Sequence, residues 1–388
     1  MLEDVLNYYL NETRISDALA LAGGTAEHAV TALGGGAQER SLFDLASLTK
    51  LFTGVTVMRL REEGLIDLGR SVAAYAPQFE NLRDITVDQV LGFEVPLITP
   101  ERVDTQKTPV DGLRQLFAIR PGEEAARAYS DMHAMVLKYV IEGATRDSYM
   151  RVMRSHIIAP LGMEETFQPV PPDRRGDCLS FDREHRIERG RYILREGVQP
   201  GTPHDPKART LWPETCGHTG LFSTLGDMVK FCQGMLRGDV LGRESLEYMA
   251  RNRTGRRRED GSWSQFLGSQ CYVRHPDQYY SEIPEYESDQ AIGISGFTGH
   301  HLSIDPEVGV FAIFLGNRVR DRLTVLIPEE GKSYADYGLN PDGTGQVDWP
   351  DGSKVWSSVN FAHHRDEHFH ASLARELGWK PWRAHESP

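Results

Sequence analysis

Ser47-Leu48-Thr49-Lys50 is the only S-x-x-K in the chain, and it stands where the hydrophobic pattern changes period. Leu42, Phe43 and Leu45 approach it as a short strand-like run, and Leu48, Leu51, Phe52 and Val55 leave it at helical spacing. A serine one helical turn before a lysine can hold a hydroxyl against an amine, a pairing that can make a nucleophile. The spacing by itself is not specific, because both residues are common.

A serine hydroxyl is a poor nucleophile at neutral pH and needs a base within about 3 Å. Lys50 serves as that base only when neutral, so a pKa near 10.4 would have to fall by roughly three units, a differential of about 4 kcal/mol. The plain alternative is an exposed lysine on an amphipathic helix. Tyr129-Ser130-Asp131 favours the chemical reading, since a tyrosine between a turn and a helix can project its phenol into a cleft. Y-x-[ND] also occurs at Tyr9-Leu10-Asn11 and Tyr334-Ala335-Asp336. Only Tyr129 has both a preceding Arg120-Pro121-Gly122 turn and a following apolar helix, marked by Met132, Met135, Val136, Tyr139 and Val140. Structurally, Tyr129 also reads as a half-buried tyrosine with a satisfied hydroxyl.

With 388 residues, 39% hydrophobic and 26% charged, the chain can bury a large core and is expected to build two lobes. A net charge of -13 argues against nucleic acid as a partner. Arg251, Arg253, Arg256, Arg257 and Arg258 run the other way, as a solvated loop or an anion contact. The amino terminus has no basic or apolar signal region, and no run approaches the roughly 18 apolar residues of a membrane helix. The expectation is a cytoplasmic protein with no membrane partner. Four cysteines without C-x-x-C spacing, Cys178, Cys216, Cys232 and Cys271, fit reduced thiols.

Along the chain, Ile15 to Gly36 reads as a β-hairpin, and the helix from Ser47 runs through Leu60 with Gly64 placed to end it. A change of lobe is expected near Pro77, with mostly helical sequence from Ile85 to about Leu161. Residues 169–213, rich in proline and arginine, read as a long irregular excursion. Asp227 to Leu236 is helical, capped at Gly226-Asp227. His300 to Ile304 and Val310 to Leu315 form a hairpin, Pro328 to Trp356 reads as an insertion, and His370 to Leu377 as a closing helix. The expected division is 1–75 with 215–388 as a sheet-containing lobe, and 76–214 as a mainly helical one.

These segments together resemble the serine β-lactamase and penicillin-binding protein superfamily, nearest its class C branch with the related esterases and D-peptidases. Ser41 to Leu68 (SLFDLASLTKLFTGVTVMRLREEGLIDL) is similar to the family's nucleophile region, and Arg120 to Asp131 (RPGEEAARAYSD) to its P-G-x-x-x-x-Y-S-[ND] segment. Ala159 to Met163 (APLGM), Gly217 to Thr224 (GHTGLFST) and Gly296 to Pro306 (GFTGHHLSIDP) also fit. The ordered set is far more specific than any member.

The resemblance implies an α/β, two-lobed β-lactamase-like fold: an antiparallel sheet flanked by helices, with a helical lobe inserted. It implies Ser47 as acylated nucleophile, Lys50 as its proton acceptor, Tyr129 as second acid/base group, and backbone amides of Ser47 and Phe297 as oxyanion hole. Asp131, Ser295, Gly296, His204 and His218 are the expected substrate-side residues, and no cofactor is called for.

Three positions depart from the family pattern. Ile294-Ser295-Gly296 aligns with its Lys-Thr-Gly or His-Thr-Gly motif, so the cation that helps hold a substrate carboxylate is missing. Asp131 stands where many members have Asn, and a carboxylate there tends to keep Lys50 charged, moving the base role towards Tyr129. Gly92-Phe93-Glu94-Val95-Pro96 replaces a His-Thr-Ser-Gly-like loop at the groove rim. His218-Thr219-Gly220 precedes a helix, not a hairpin, so His218 reads as structural or catalytic. His204-Asp205-Pro206 reads as groove wall or as a simple turn. His364 and His368, four apart with His363 and His370 nearby, could share a zinc ion, but no further ligand completes the set and no metal is expected.

The expected function is hydrolysis of a small-molecule ester or amide through an acyl-enzyme on Ser47, with esters favoured. The rivals are a D,D-peptidase or β-lactamase, and a catalytically silent penicillin-binding-like scaffold. Oligomeric state is left open.

Overall fold

A computed structural model of the protein describes residues 1–123, 128–179 and 181–382. Its main sheet has five antiparallel strands: β1 (Ala18–Thr25), β2 (Ala29–Gly35), β3 (Ile292–Gly296), β4 (His300–Asp305) and β5 (Val310–Gly316). Their order is β2-β1-β5-β4-β3, so the two ends of the chain meet in the middle, where Leu19 pairs with Gly316 and Thr25 with Val310. Both expected hairpins are present. Alternation along β1 sends Ala18, Ala20 and Ala22 to one face and Leu19 and Leu21 to the other.

The leucine face packs against helices α1 (Leu2–Asn7) and α5 (Ala371–Leu377), through Leu2, Val5, Leu6 and Leu373. The alanine face admits α2 (Leu48–Glu62) and α4 (Leu225–Arg237), whose Phe52 and Phe231 rings stack at 4.2 Å. Thr224, not Gly226-Asp227, caps α4, accepting a hydrogen bond from the Asp227 amide at 3.3 Å. Helix α2 is buried on every side from Leu48 to Met58, Lys50 and three threonines included, as befits a helix enclosed by protein. Leu48, Leu51, Phe52, Val55, Val57, Met58 and Leu60 are wholly buried, each stabilising the fold by about 1.5–3 kcal/mol. Its outer side meets α3 (Asp131–Thr145), so α2 lies between the sheet and a helical layer.

The excursion expected to be irregular is instead ordered. Phe181–Glu188 and Arg191–Val198 form an antiparallel hairpin, followed by a short helix, Pro206–Leu211. The hairpin joins a second five-stranded sheet by pairing in parallel with Arg322–Ile327, which also pairs in parallel with Lys354–Ser357. The stretch read as an insertion therefore supplies strands, Gln346–Asp348 and Lys354–Ser357, over a small core of Ile187, Leu323, Val347 and Val355. Apolar alternation could not reveal this hairpin, because ion pairs such as Arg195 with Glu184 and Arg186 with Glu188 occupy its faces. Of the RPGEEAARAYSD segment, Glu124 to Arg127 lie outside the described residues.

Candidate active site

Ser47 is presented by a strained turn. The two-residue strand Phe43–Asp44 pairs with Phe222–Ser223, and Ala46 then adopts φ +45°, a left-handed conformation costly for a side chain with a Cβ. The buried Asp44 carboxylate holds this turn, accepting from the Ala46 amide at 3.0 Å and the His204 amide at 2.7 Å. Ser47 stands at the N-cap position of α2 without a side-chain capping bond, and the helical period sets Lys50 Nζ 2.8 Å from its Oγ.

Lys50 is completely buried, so it cannot extend its ammonium to water and must be paired inside the protein. Its Nζ lies 2.8 Å from Asp131 Oδ1 and 3.4 Å from the His218 carbonyl, and 4.8 Å from the centre of the Tyr129 ring. Burial pushes Lys50 down, but the Asp131 carboxylate and the Tyr129 phenol outweigh it, leaving its pKa above that of a free lysine. The resting lysine is therefore an ammonium.

Asp131, first residue of α3, is shared: Oδ2 lies 2.9 Å from Lys207 Nζ, on the short helix of the former excursion. Burial would raise Asp131, yet Lys50, His218 and Lys207 hold it well below the usual carboxylate range. Asp205 caps that short helix, accepting from the Lys207 and Ala208 amides, and its Oδ1 lies 3.1 Å from His218 Nε2. Asp131, Asp205 and His218 bring ligand atoms within 4.8 Å of one another, the one such group among the described residues with metal-ligand spacing. Two ammonium groups already face its carboxylates, so a divalent cation would have to displace a lysine. The histidines near the carboxyl end are spent separately: His364 Nδ1 lies 2.8 Å from the Tyr8 hydroxyl, His368 stacks on Tyr8, and His370 Nδ1 lies 2.9 Å from the Tyr286 hydroxyl.

Tyr129 sits in a three-ring stack, with Phe93 at 5.5 Å on one side and Tyr272 at 5.3 Å on the other, both nearly parallel to it. Phe93 holds φ +58°, so the altered rim loop stores backbone strain where it clamps the tyrosine. The Tyr129 amide donates to Gln265 Oε1 at 3.1 Å.

The end of β3 closes on the serine turn. A Cβ on Gly296 would come 2.9 Å from the Leu45 carbonyl, a contact only glycine permits, and Thr298 Oγ1 donates to the Asp44 carbonyl at 2.9 Å. These contacts hold the Phe297 segment beside the amino end of α2. The Phe297 ring stacks on His204 at 5.6 Å. His218 contributes through its carbonyl to Lys50 and its ring to Asp205. Ser295 is directed elsewhere: its hydroxyl donates to Glu282 at 2.6 Å and accepts from buried Arg365 Nη1 at 2.7 Å. Ile294 is wholly buried in the main core.

Asp44 lies within the Ser41 to Leu68 segment without being singled out there, and Lys207, Phe93 and Tyr272 carry no motif that marks them in the sequence. Only the left-handed Phe93 lay on a segment flagged as departing from the pattern.

An antiparallel sheet and a helical layer enclosing a serine and lysine on one helix define the scaffold of the β-lactamase-like serine hydrolases. A profile of the Beta-lactamase family matches residues 7–327, and the chain belongs to that family. A protein of Salmonella paratyphi B, provisionally named D-alanyl-D-alanine carboxypeptidase, is 28% identical over 310 residues, covering 73% of this chain and 70% of that one. Among solved structures, the octameric penicillin-binding protein homologue from Pyrococcus abyssi superposes with TM-score 0.61 at 17% identity, over 81% of this chain and 72% of that one. EstCE1, a hydrolase with promiscuous acyltransferase activity, gives TM-score 0.60 at 16% identity, over 81% and 92%. Among the described residues no helix is long and apolar enough to cross a membrane.

Proposed function

We propose that the protein hydrolyses an ester of a small molecule, with amides as slower substrates, through an acyl-enzyme on Ser47. The observation that carries this reading is the 2.8 Å contact between Ser47 Oγ and the buried Lys50 Nζ. Asp131 keeps that lysine charged at rest, so the acceptor of the serine proton is the Lys50–Tyr129 couple once it has lost one proton. Ser47 Oγ bonds to the acyl carbon, the couple returns the proton to the departing oxygen, and the alcohol leaves. Water then repeats the sequence on the acyl-enzyme. Amides of Ser47 and Phe297 would hold the oxyanion, each donor worth about 3 kcal/mol.

Two features support esters over carboxylate-bearing D-peptides or β-lactams. Ile294 supplies no cation, and the nearby Arg365 guanidinium is already paired with Glu282 at 3.1 Å and Asp366 at 2.8 Å. The name of the Salmonella relative keeps peptidase activity as the second reading, tested by whether a penicillin labels Ser47. Ser47→Ala should abolish ester turnover and fluorophosphonate labelling without changing the circular dichroism spectrum. Full turnover by that variant would sink the proposal.

A further inference from the structure

We infer that the aromatic cavity beside Tyr129 is the leaving-group subsite and that it takes an uncharged aromatic group, making esters of aromatic alcohols the preferred substrates. This rests on the hydrolase reading above and names its substrate class.

The cavity measures about 700 Å³ and lies under the loop that precedes β3. Trp263, Phe266, Tyr272 and Tyr280 line it, and buried His275 ties three of them together. Its ring lies 4.6 Å from Phe266, 5.4 Å from Trp263 and 5.5 Å from Tyr280, each edge to face. His275 Nδ1 accepts from the Asp277 amide at 2.9 Å, and burial lowers its pKa, so at neutral pH it adds an uncharged ring. Trp263 and Tyr280 remain 36% and 62% exposed, leaving aromatic surface available to a guest.

Two of its walls are walls of the serine site. Tyr272 stacks directly on Tyr129, and Gln265 accepts the Tyr129 amide. At the other end Glu282 accepts from Ser295, two residues before Phe297. The cavity and the surroundings of Tyr129 thus share Tyr272 and Gln265.

Chemistry assigns the side. The departing oxygen must lie within hydrogen-bond reach of the group that protonates it, here the Tyr129 phenol, and of the two hollows that flank Tyr129 the one behind Tyr272 is aromatic while the one behind Phe93 is lined by Arg253, Arg256 and Arg258. Charge assigns the class. Among the described residues no lysine or arginine lines the cavity, Glu282 is already paired with Arg365 at 3.1 Å, and the Arg257 guanidinium lies 5.8 Å from the centre of the Trp263 ring. The lining therefore offers an anionic substituent little, and its rings favour a flat apolar one.

The test compares benzyl acetate with butyl acetate, which share an acyl group, in the wild type, Trp263→Ala and Trp263→Phe. The expected result is a wild-type preference for the benzyl ester of about tenfold in kcat/KM, carried by KM, kept in W263F and lost in W263A. A wild-type ratio near one, or a ratio unchanged in W263A, overturns the assignment. Saturation-transfer NMR with benzyl alcohol reads the cavity without turnover: the signal should persist in S47A and vanish in W263A. Absence of benzyl alcohol binding overturns the subsite even if esters are hydrolysed. Ester turnover that survives in S47A overturns the hydrolase reading, while the NMR outcome still decides the cavity.

Discussion

Lys50 Nζ and Asp131 Oδ1 lie 2.8 Å apart, joining a wholly buried ammonium to a carboxylate at the first position of the opposing helix. The carboxylate both pairs with the lysine and opposes its use as a base. Removing it leaves burial, which favours neutral lysine, and the positive charge of Lys207, which acts the same way. Asp131→Asn should therefore move the limb on which kcat/KM rises with pH to lower pH by about one to two units. Initial rates on p-nitrophenyl acetate from pH 6 to 10 measure it, and a limb that stays in place would show that Lys50 does not govern it.

Lys207 acts with the opposite sign. Its ammonium draws on the same carboxylate at 2.9 Å, so Lys207→Met leaves Asp131 to Lys50 alone and strengthens the hold on its proton. The limb should move to higher pH, with kcat/KM at pH 7.5 falling roughly three- to tenfold. Opposite displacements in D131N and K207M would not arise from loosened packing alone.

Asp44 stabilises the turn that presents Ser47. Asp44→Ala strands the Ala46 and His204 amides and should cost about 3 kcal/mol of stability, measured by urea unfolding. Asp44→Asn keeps a carbonyl oxygen for one amide and should recover part of both stability and kcat.

Acid should unfold the protein earlier than its carboxylates alone would require. His133 and His300 are buried and their pKa values are lowered to about 4, chiefly by burial. His300 accepts from the Gly316 amide on Nδ1 and so donates from Nε2 to the Asp44 carbonyl at 2.6 Å, which leaves no site for a second proton. An unfolded histidine takes up a proton near pH 6.5 and the folded ones only near pH 4. Folded stability is therefore full above about pH 6.5 and falls between there and pH 4, by up to about 3 kcal/mol per histidine. Thermal unfolding at pH 7.5, 6 and 5 should show the decline, and His133→Gln should flatten it.

Much of the architecture was legible because it is local. The hairpin within Ile15 to Gly36, the hairpin from His300 to Leu315 and the apolar periods of α2 and α3 all follow from patterns within one short stretch of chain. The Phe181–Val198 hairpin was not, since its strands pair through main-chain bonds and charged side chains that leave no period to read.

The candidate site divides in the same way. Ser47 and Lys50 meet because residues three apart on a helix share a face, a consequence of the 3.6-residue turn that the sequence alone determined. Tertiary structure decided what surrounds them: Asp131 between Lys50 and Lys207, Tyr129 between Phe93 and Tyr272, and the Gly296 strand end against Leu45. Those partners come from segments far apart in the chain, and their approach depends on how helices and strands pack, which no spacing within a segment encodes.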